Sequence, residues 1–421
     1  MDALFAGVIF AATLALILTR PRGIGEAWWA AAGGALVLAA GLVSVRQFED
    51  ILSTTQDALI FLVGLMALSA VAERAGFFEW VASVAARAGG GSVVRLYVFV
   101  FLAGTLVTAF LSLDSTAIVL TPVVYVMVAR LRLAPLPFMF ACTYTANTAS
   151  LFLPVSNLTN LLIYNALNLN FLRFALVMLL PALLAVIANA AVFFWLFRRE
   201  LAGSYGPKPT LFAPEDRAFF RLAAGGVAVV LAGFFVAPAF GVPIGVVSLA
   251  GGVLLVVVAR SHGWIRLREV TGSVSWGLIV LVVGLFLVVR GVENAGLAGV
   301  VHAAYAAASG NGLLQILGVA AGTALGANII NNVPMTVVAL GALSGGAVHP
   351  ASAYASLIGT NVGPNLTVVG SLATLIWLSI VRGRGMEITP RDYLRIGAVA
   401  TPVILVSAAV GLWVSLRVFG V

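Results

Sequence analysis

The sequence predicts an all-α polytopic membrane protein built from two inverted-topology repeats, each with a re-entrant hairpin and a broken helix. Three observations predict it. Of 421 residues, 62% are hydrophobic and 9% charged, far from the balance of a soluble domain. The apolar runs are continuous and of helix length, unlike the short alternating segments of a β-barrel. The order of those runs recurs in the two halves of the chain.

Taken in order, Ala3–Thr19 is apolar, lacks a basic start and leads into a full bundle, so it reads as a first span and not as a signal peptide. Spans at 26–44 and 57–72 follow, then an amphipathic piece at 77–88 and a hairpin region at 94–129. A span interrupted by polar residues occupies 135–168, and a span at 173–197 closes the first repeat, 1–197. After a linker at 198–217, the second repeat (218–421) runs through spans at 220–238, 243–259 and 273–291. It continues with an amphipathic piece at 296–308, a hairpin at 312–344, an interrupted span at 350–381 and a last span at 394–417. Local matches support the duplication: Glu73-Arg74-Ala75-Gly76 answers to Glu293-Asn294-Ala295-Gly296, and Pro181 to Pro402.

If each hairpin enters and leaves on one side, each repeat crosses five times, and an odd count inverts the second. Charge distinguishes the two orientations. With the N-terminus outside, nineteen of the 23 basic residues fall in inner loops, and Arg46, Arg173, Arg290 and Arg417 stay outside. Cytoplasmic loops carry the excess of Lys and Arg, so the linker, with Gly206-Pro207-Lys208-Pro209, is expected in the cytoplasm and both termini outside. The net charge of +8 is thereby a property of topology and does not point to nucleic acid. The lone Cys142 excludes an intramolecular disulfide and a multi-thiolate metal site. No Walker-type loop is present, so the sequence predicts a transporter and no enzyme, cofactor or metal centre.

Four polar clusters interrupt the apolar background: Ser112–Thr116, Thr145–Asn160, Asn328–Thr336 and Thr360–Thr374. Most combine helix breakers with Asn, Ser and Thr. Unwound backbone at membrane depth is tolerated only where it is buried or lines a cavity, and half-helix N-termini point their N–H groups at what is bound. The competing reading is that these side chains only join helices through hydrogen bonds. Four clusters at matching positions favour a shared site near the bilayer centre. Within it, Ser115, Thr116, Asn147, Thr148, Ser156, Asn157, Asn331, Asn332, Thr360, Asn361, Asn365, Gly370 and Ser371 are the expected substrate-binding residues. No Arg, Lys or His stands in the clusters, which suits a neutral polyhydroxylated solute better than a dianion. Asp114 is the one carboxylate in the run Tyr97–Val128. A charge at that depth costs roughly 3 kcal/mol or more, so Asp114 is the expected proton-coupling residue; a carboxylate satisfied by N–H groups at a helix break is the plainer, compatible reading. Glu73/Arg74 and Arg290/Glu293 are expected as interfacial ion pairs, Asp57 as a cap or interfacial residue, and Cys142 as a packed core residue.

At these clusters the chain resembles the arsenite efflux permeases, the arsenical pump membrane protein (ArsB) type of the ion transporter superfamily. The resemblance rests on Gly76-Phe77-Phe78-Glu79-Trp80, Ile118-Val119-Leu120-Thr121-Pro122, Thr148-Ala149-Ser150 with Val155-Ser156-Asn157-Leu158, Asn331-Asn332-Val333-Pro334, and Gly363-Pro364 with Gly370-Ser371-Leu372-Ala373-Thr374-Leu375. It implies a multi-pass inner-membrane exporter of arsenite or antimonite in exchange for protons, embedded in the lipid bilayer, with scaffold and transport domains. A homodimer and a helper ATPase are partners that it raises and the sequence leaves open. The chain departs from the family pattern at three places: Leu113 and Ser115 flank Asp114, and Asn147 and Asn361 stand where many relatives carry Asp. Because related branches move other solutes, the alternative is a sodium- or proton-coupled carrier of another oxyanion, an organic anion or silicic acid.

Overall fold

The structure is a computed structural model that describes residues 2–19, 21–206, 212–296, 298–343 and 348–420. Arg20, the stretch Pro207-Lys208-Pro209 of the linker, and the last residue of the second hairpin region at 344 lie outside the described residues. Within the described residues the chain is helical, with eight helices long and apolar enough to cross a membrane. It is a multi-pass membrane protein.

The first half runs α1 (Asp2–Thr19), α2 (Glu26–Ala39), α3 (Val45–Arg74), α4 (Phe77–Ala88), α5 (Val93–Leu111), α6 (Thr121–Arg130), α7 (Leu136–Ala149), α8 (Leu158–Ala166) and α9 (Phe171–Leu196). The second runs α10 (Arg217–Val236), α11 (Ile244–Ser261), α12 (Leu267–Ser273), α13 (Trp276–Asn294), α14 (Ala298–Ala308), α15 (Leu313–Ile330), α16 (Asn332–Leu343), α17 (Ala351–Val362), α18 (Leu372–Gly383) and α19 (Pro390–Phe419).

Helix starts follow local chemistry. Ser44 and Gln47 form a capping box that starts α3 at Val45, well before the expected 57. α2 correspondingly ends at Ala39 and not at 44; at 1.5 Å per residue it spans roughly 21 Å, short of the hydrocarbon core. Asp57 therefore lies inside α3, and its carboxylate accepts from the Gly245 N–H, 2.9 Å away in the first turn of α11. It caps a neighbouring helix. Thr389 with Asp392 boxes the start of α19, and Asn170 caps α9.

The packing is reciprocal between the halves. α3 packs on α11 and α2 on α13, α5 on α7 and α15 on α17, while α9 and α19 pack on each other. Small residues allow the close approach: a Cβ on Gly252 would lie 2.6 Å from the Gly64 carbonyl, and one on Gly411 2.7 Å from Pro181. Backbone details match as well. Gly76 and Gly296, each just after a long helix, share φ = 81°, a left-handed turn that glycine makes without a Cβ clash. Ser112 and Asn331, at the two hairpin tips, have positive φ (106° and 74°) without being glycine.

Only the ends of the linker are described, and both are docked. The Tyr205 N–H donates to Gly91 O at 2.9 Å, and the Tyr205 hydroxyl donates to Ala86 O at 2.7 Å. At its far end Asp216 caps α10 through the N–H groups of Ala218 and Phe219 and accepts from the Trp264 indole at 2.6 Å. Those contacts, the Phe219 N–H foremost, hold the Asp216 carboxyl below its usual range.

Candidate functional site

The first hairpin descends as α5, 19 residues or roughly 28 Å, enough to carry its tip past the bilayer centre. It breaks at Ser112, and the chain resumes at Ser115–Leu120 as a π-helical turn that leads into α6. The Thr121 hydroxyl donates to Thr116 O, five residues back, at 3.1 Å. Such turns are rare and cluster at functional sites. Around it, the Ser115 hydroxyl is tied to Ser69 of α3 (3.1 Å) and to Leu111 O (3.0 Å), and Thr116 pairs with Thr108 at 2.8 Å. Asp114 immediately precedes the turn. It is partly buried, and its carboxylate makes no capping bond there.

The second hairpin turns at Asn331. The Asn331 side-chain amide donates to Val369 O (3.1 Å), and the Asn332 N–H donates to Gly370 O (2.9 Å). Gly370 and Ser371 therefore sit at this tip, just before α18. The π-turn of the first hairpin packs on α18 too, and α16 packs on α8. Each hairpin thus lies against the second part of the other half's broken helix, and the second tip is bonded to Val369 and Gly370 just before α18.

Between the tips the two broken helices join back to back. In the first, Leu153–Asn157 is unwound around a 3-10 turn at Pro154–Ser156; in the second, Gly363–Asn365 forms the matching turn. The freed backbone is satisfied by side chains, as membrane depth demands. Asn160 donates to Ser150 O (2.6 Å) and Leu153 O (2.9 Å), and Ser156 to Ala109 O (2.7 Å). Asn328 takes the Thr367 N–H at 3.0 Å and donates to Gly363 O at 2.8 Å.

Across the seam, Asn361 Oδ1 accepts from the Ser150 hydroxyl and from Asn157 Nδ2 (2.6 Å). Asn361 Nδ2 donates to Asn160 Oδ1 and Leu357 O, both at 2.8 Å. Asn147 Nδ2 donates to Asn365 Oδ1 (3.0 Å) and Thr374 Oγ1 (3.2 Å), Asn365 Nδ2 to Thr148 Oγ1 (3.1 Å), and the Tyr144 hydroxyl to Asn365 O (2.7 Å). A cluster of rings, Phe140, Tyr144, Phe193, Trp377 and Tyr393, packs beside it.

The residues singled out in the sequence therefore fall into three groups. Asp114, Ser115 and Thr116 form the first tip, and Asn331, Asn332, Gly370 and Ser371 the second. Asn147, Thr148, Ser156, Asn157, Thr360, Asn361 and Asn365 lie in or beside the seam, each at most 4% exposed; among the described residues the Thr360 hydroxyl bonds to Leu357 O of its own helix. Cys142 is buried, as a core residue. Arg290 and Glu293 form their ion pair at 3.1 Å, whereas Glu73 and Arg74 line a cavity of about 700 Å³ with Glu79, Glu215, Asp216 and Trp264. The sequence reading passed over Tyr144, Ser69 and Asn189. Asn189 carried a signal: beyond Arg173 it is the one polar side chain of α9.

A model of the family described as arsenical pump membrane protein matches residues 5–416. An arsenical pump membrane protein of Escherichia coli is 32% identical over 418 residues, covering 96% of this chain and 97% of that protein. One from Yersinia enterocolitica is 33% identical with the same coverage, and a putative one from Bacillus subtilis is 24% identical over 96% of this chain and 98% of its own. Among solved structures, the Alcanivorax borkumensis YdaH transporter, described as having an unusual topology, superposes with a TM-score of 0.61 at 17% identity, covering 99% of this chain and 98% of that one. That likeness concerns the fold.

Proposed function

The chain belongs to the arsenical pump membrane protein family, and from that premise we propose that it is a secondary transporter that exports arsenite or antimonite across the inner membrane in exchange for protons. The observation that carries this reading is the Asp114 carboxylate, without a capping bond just before a π-turn, in a site whose tips and seam are made otherwise of hydroxyls and amides. Arsenite near neutral pH is an uncharged trihydroxide. A shell that donates and accepts without fixed cations suits it. Ser115, Thr116, Asn331, Asn332 and Ser371 supply this shell at the tips, and the amides of the seam hold the two broken helices beneath it.

In this mechanism Asp114, ionised on the cytoplasmic side, accepts from a hydroxyl of the solute. Protonation from the outer side removes that acceptor and releases the solute there. Half-helix N-termini favour the charged form while exclusion of water favours the neutral one, and an exchanger needs both within reach. We place both termini outside and the linker in the cytoplasm, with the second repeat inverted relative to the first. The nineteen-to-four division of basic residues supports that orientation; the paired packing of the two halves supports the duplication.

The test is flux into proteoliposomes of purified protein under an imposed pH difference, comparing arsenite, antimonite, silicic acid and dicarboxylates, with a sodium gradient as the second arm. Uphill movement of arsenite or antimonite driven by pH is expected. Asp114→Asn should abolish it while leaving downhill exchange. A variant that still concentrates solute at wild-type rates would remove Asp114 from the coupling.

A further inference from the structure

At the C-terminal foot of α8, outside the tips and the seam, lies a cavity of about 480 Å³. Its polar lining is Ser53, Thr54 and Asp57 of α3, with Tyr164, Asn165 and Asn168 at the end of α8 and in the turn after it. Among the described residues no Arg, Lys or His joins them. The cavity lies at the ends of α9 and α10 remote from the linker, since those helices, 26 and 20 residues long, run between the two. It therefore opens on the face opposite the linker, the outer face in the orientation proposed above. α8, nine residues or roughly 13 Å, separates it from the seam at Asn157.

The wall is built to accept hydrogen bonds. Ser53 and Thr54 both commit their protons to Asp50 O, at 2.8 Å, so their oxygens are left as acceptors. Asp57 binds the Gly245 N–H through Oδ1 and keeps the remaining lone pairs of its carboxylate. Asn165 approaches that carboxylate, but its buried Nδ2 stops short of a hydrogen bond. Capping α11 does not account for this wall, because a cap needs one acceptor oxygen and asparagine supplies it as well as aspartate. A carboxylate with no cation beside it repels anions. What fits is a neutral solute with several O–H groups: they donate to Asp57, Ser53 and Thr54, and a solute oxygen accepts from Asn165 when that amide turns into the cavity. We propose that this cavity is a release subsite for a neutral polyhydroxylated solute on the face opposite the linker, with Asp57 as its principal acceptor. The inference rests on the transport reading above and deepens it, since it places a second binding step after the one at Asp114 and turns dicarboxylates away.

Counterflow across proteoliposomes of one orientation tests it, with the half-saturating arsenite concentration measured on each face. Asp57→Asn keeps an oxygen for the Gly245 N–H and removes the charge, so it should unfold near the wild-type temperature. Its half-saturating concentration on the face opposite the linker should rise about tenfold relative to that on the linker face, the loss expected when a charged acceptor is removed. The Ser53→Ala/Thr54→Ala double variant changes two exposed residues and should move the same ratio severalfold; it decides the matter if Asp57→Asn folds poorly. Succinate at the outer face should not compete, nor should sodium in place of choline. An unchanged ratio in a folded variant, equal shifts on both faces, or competition by sodium, the mark of a cation site, would overturn the proposal. If the wild type moves antimonite or silicic acid and not arsenite, only the choice of solute fails, and the ratio is read with the solute that moves. If it moves a dicarboxylate, or nothing, the subsite falls together with the transport reading. A neutral hydroxide carried with an unchanged ratio sinks the subsite alone.

Discussion

Replacing Asn361 by alanine tests whether the two broken helices are truly one unit. The side chain makes five hydrogen bonds, to Ser150, Asn157, Thr159, Asn160 and Leu357. All but the last cross between the halves of the chain. Inside membrane proteins such bonds average about 0.6 kcal/mol, so their loss alone amounts to about 3 kcal/mol. Asn157 Nδ2 keeps a long contact to Ser150 (3.5 Å), but Asn160 Oδ1 is left without a partner. Stranding one buried polar atom adds about 1–3 kcal/mol. A total of about 4–6 kcal/mol lowers the unfolding temperature by many degrees. Purified wild type and Asn361→Ala, heated in the same detergent and followed by loss of the monodisperse species, should separate clearly. Asn361→Asp should fall as far, because an ionised carboxylate has no proton for Asn160 and Leu357. If Asn361→Ala melts within about a degree of wild type, the seam is not the joint described here, and the amides are free to serve the solute alone.

In a Cys142→Ala background, a cysteine at the exposed Ser204 should resist an impermeant thiol reagent in intact cells and react after permeabilisation; labelling from outside would refute the inverted arrangement. Cys142→Ser should keep most flux, because the thiol is buried in the core, and complete loss in a folded variant would restore a thiol role in recognition. Asp114→Glu, one methylene longer at the same position before the π-turn, should retain part of the pH-driven flux that Asp114→Asn loses. Asp216 has a lowered folded pKa, so its stabilisation is present above the unfolded value, near 3.9, and is lost as pH falls through the folded one. Wild type should exceed Asp216→Asn in stability at neutral pH, and the two should converge in acid; a constant gap down to about pH 2 would contradict the capping role.

Much of this was legible from the chain because its causes are local. Pro154 and Gly363-Pro364 announce breaks in apolar runs, and the 3-10 turns form there. Asp114 stands out as the one carboxylate in the run Tyr97–Val128. The start of α3 was legible in principle through the Ser-x-x-Gln box at Ser44, but the polar stretch that follows masks it when spans are sought by hydropathy. Other features depend on distant partners. Asn147 meets Asn365, and Asn157 meets Asn361, more than 200 positions away in the chain; no spacing rule predicts which amide faces which. The expectation of one solute-lining shell therefore divided into two tips and a bonded seam. The π-turn escaped for a similar reason, since Ser115–Leu120 carries residues that an ordinary helix accepts equally well.

The seam also sets a timetable for biosynthesis. When α9 has entered the bilayer, Asn147, Asn157 and Asn160 are already at depth, but Asn361 and Asn365 have not been translated. At about 5–20 residues per second the wait lasts roughly 8–33 s, long compared with the microseconds in which helices form. Through that interval the first half holds amides turned toward partners that do not yet exist, and the faces of α2 and α3 that will meet α13 and α11 stand open to lipid. A nascent chain is therefore most exposed to proteolysis or to pairing with a neighbouring ribosome's product in mid-synthesis, and slower translation of the second half lengthens that exposure in proportion.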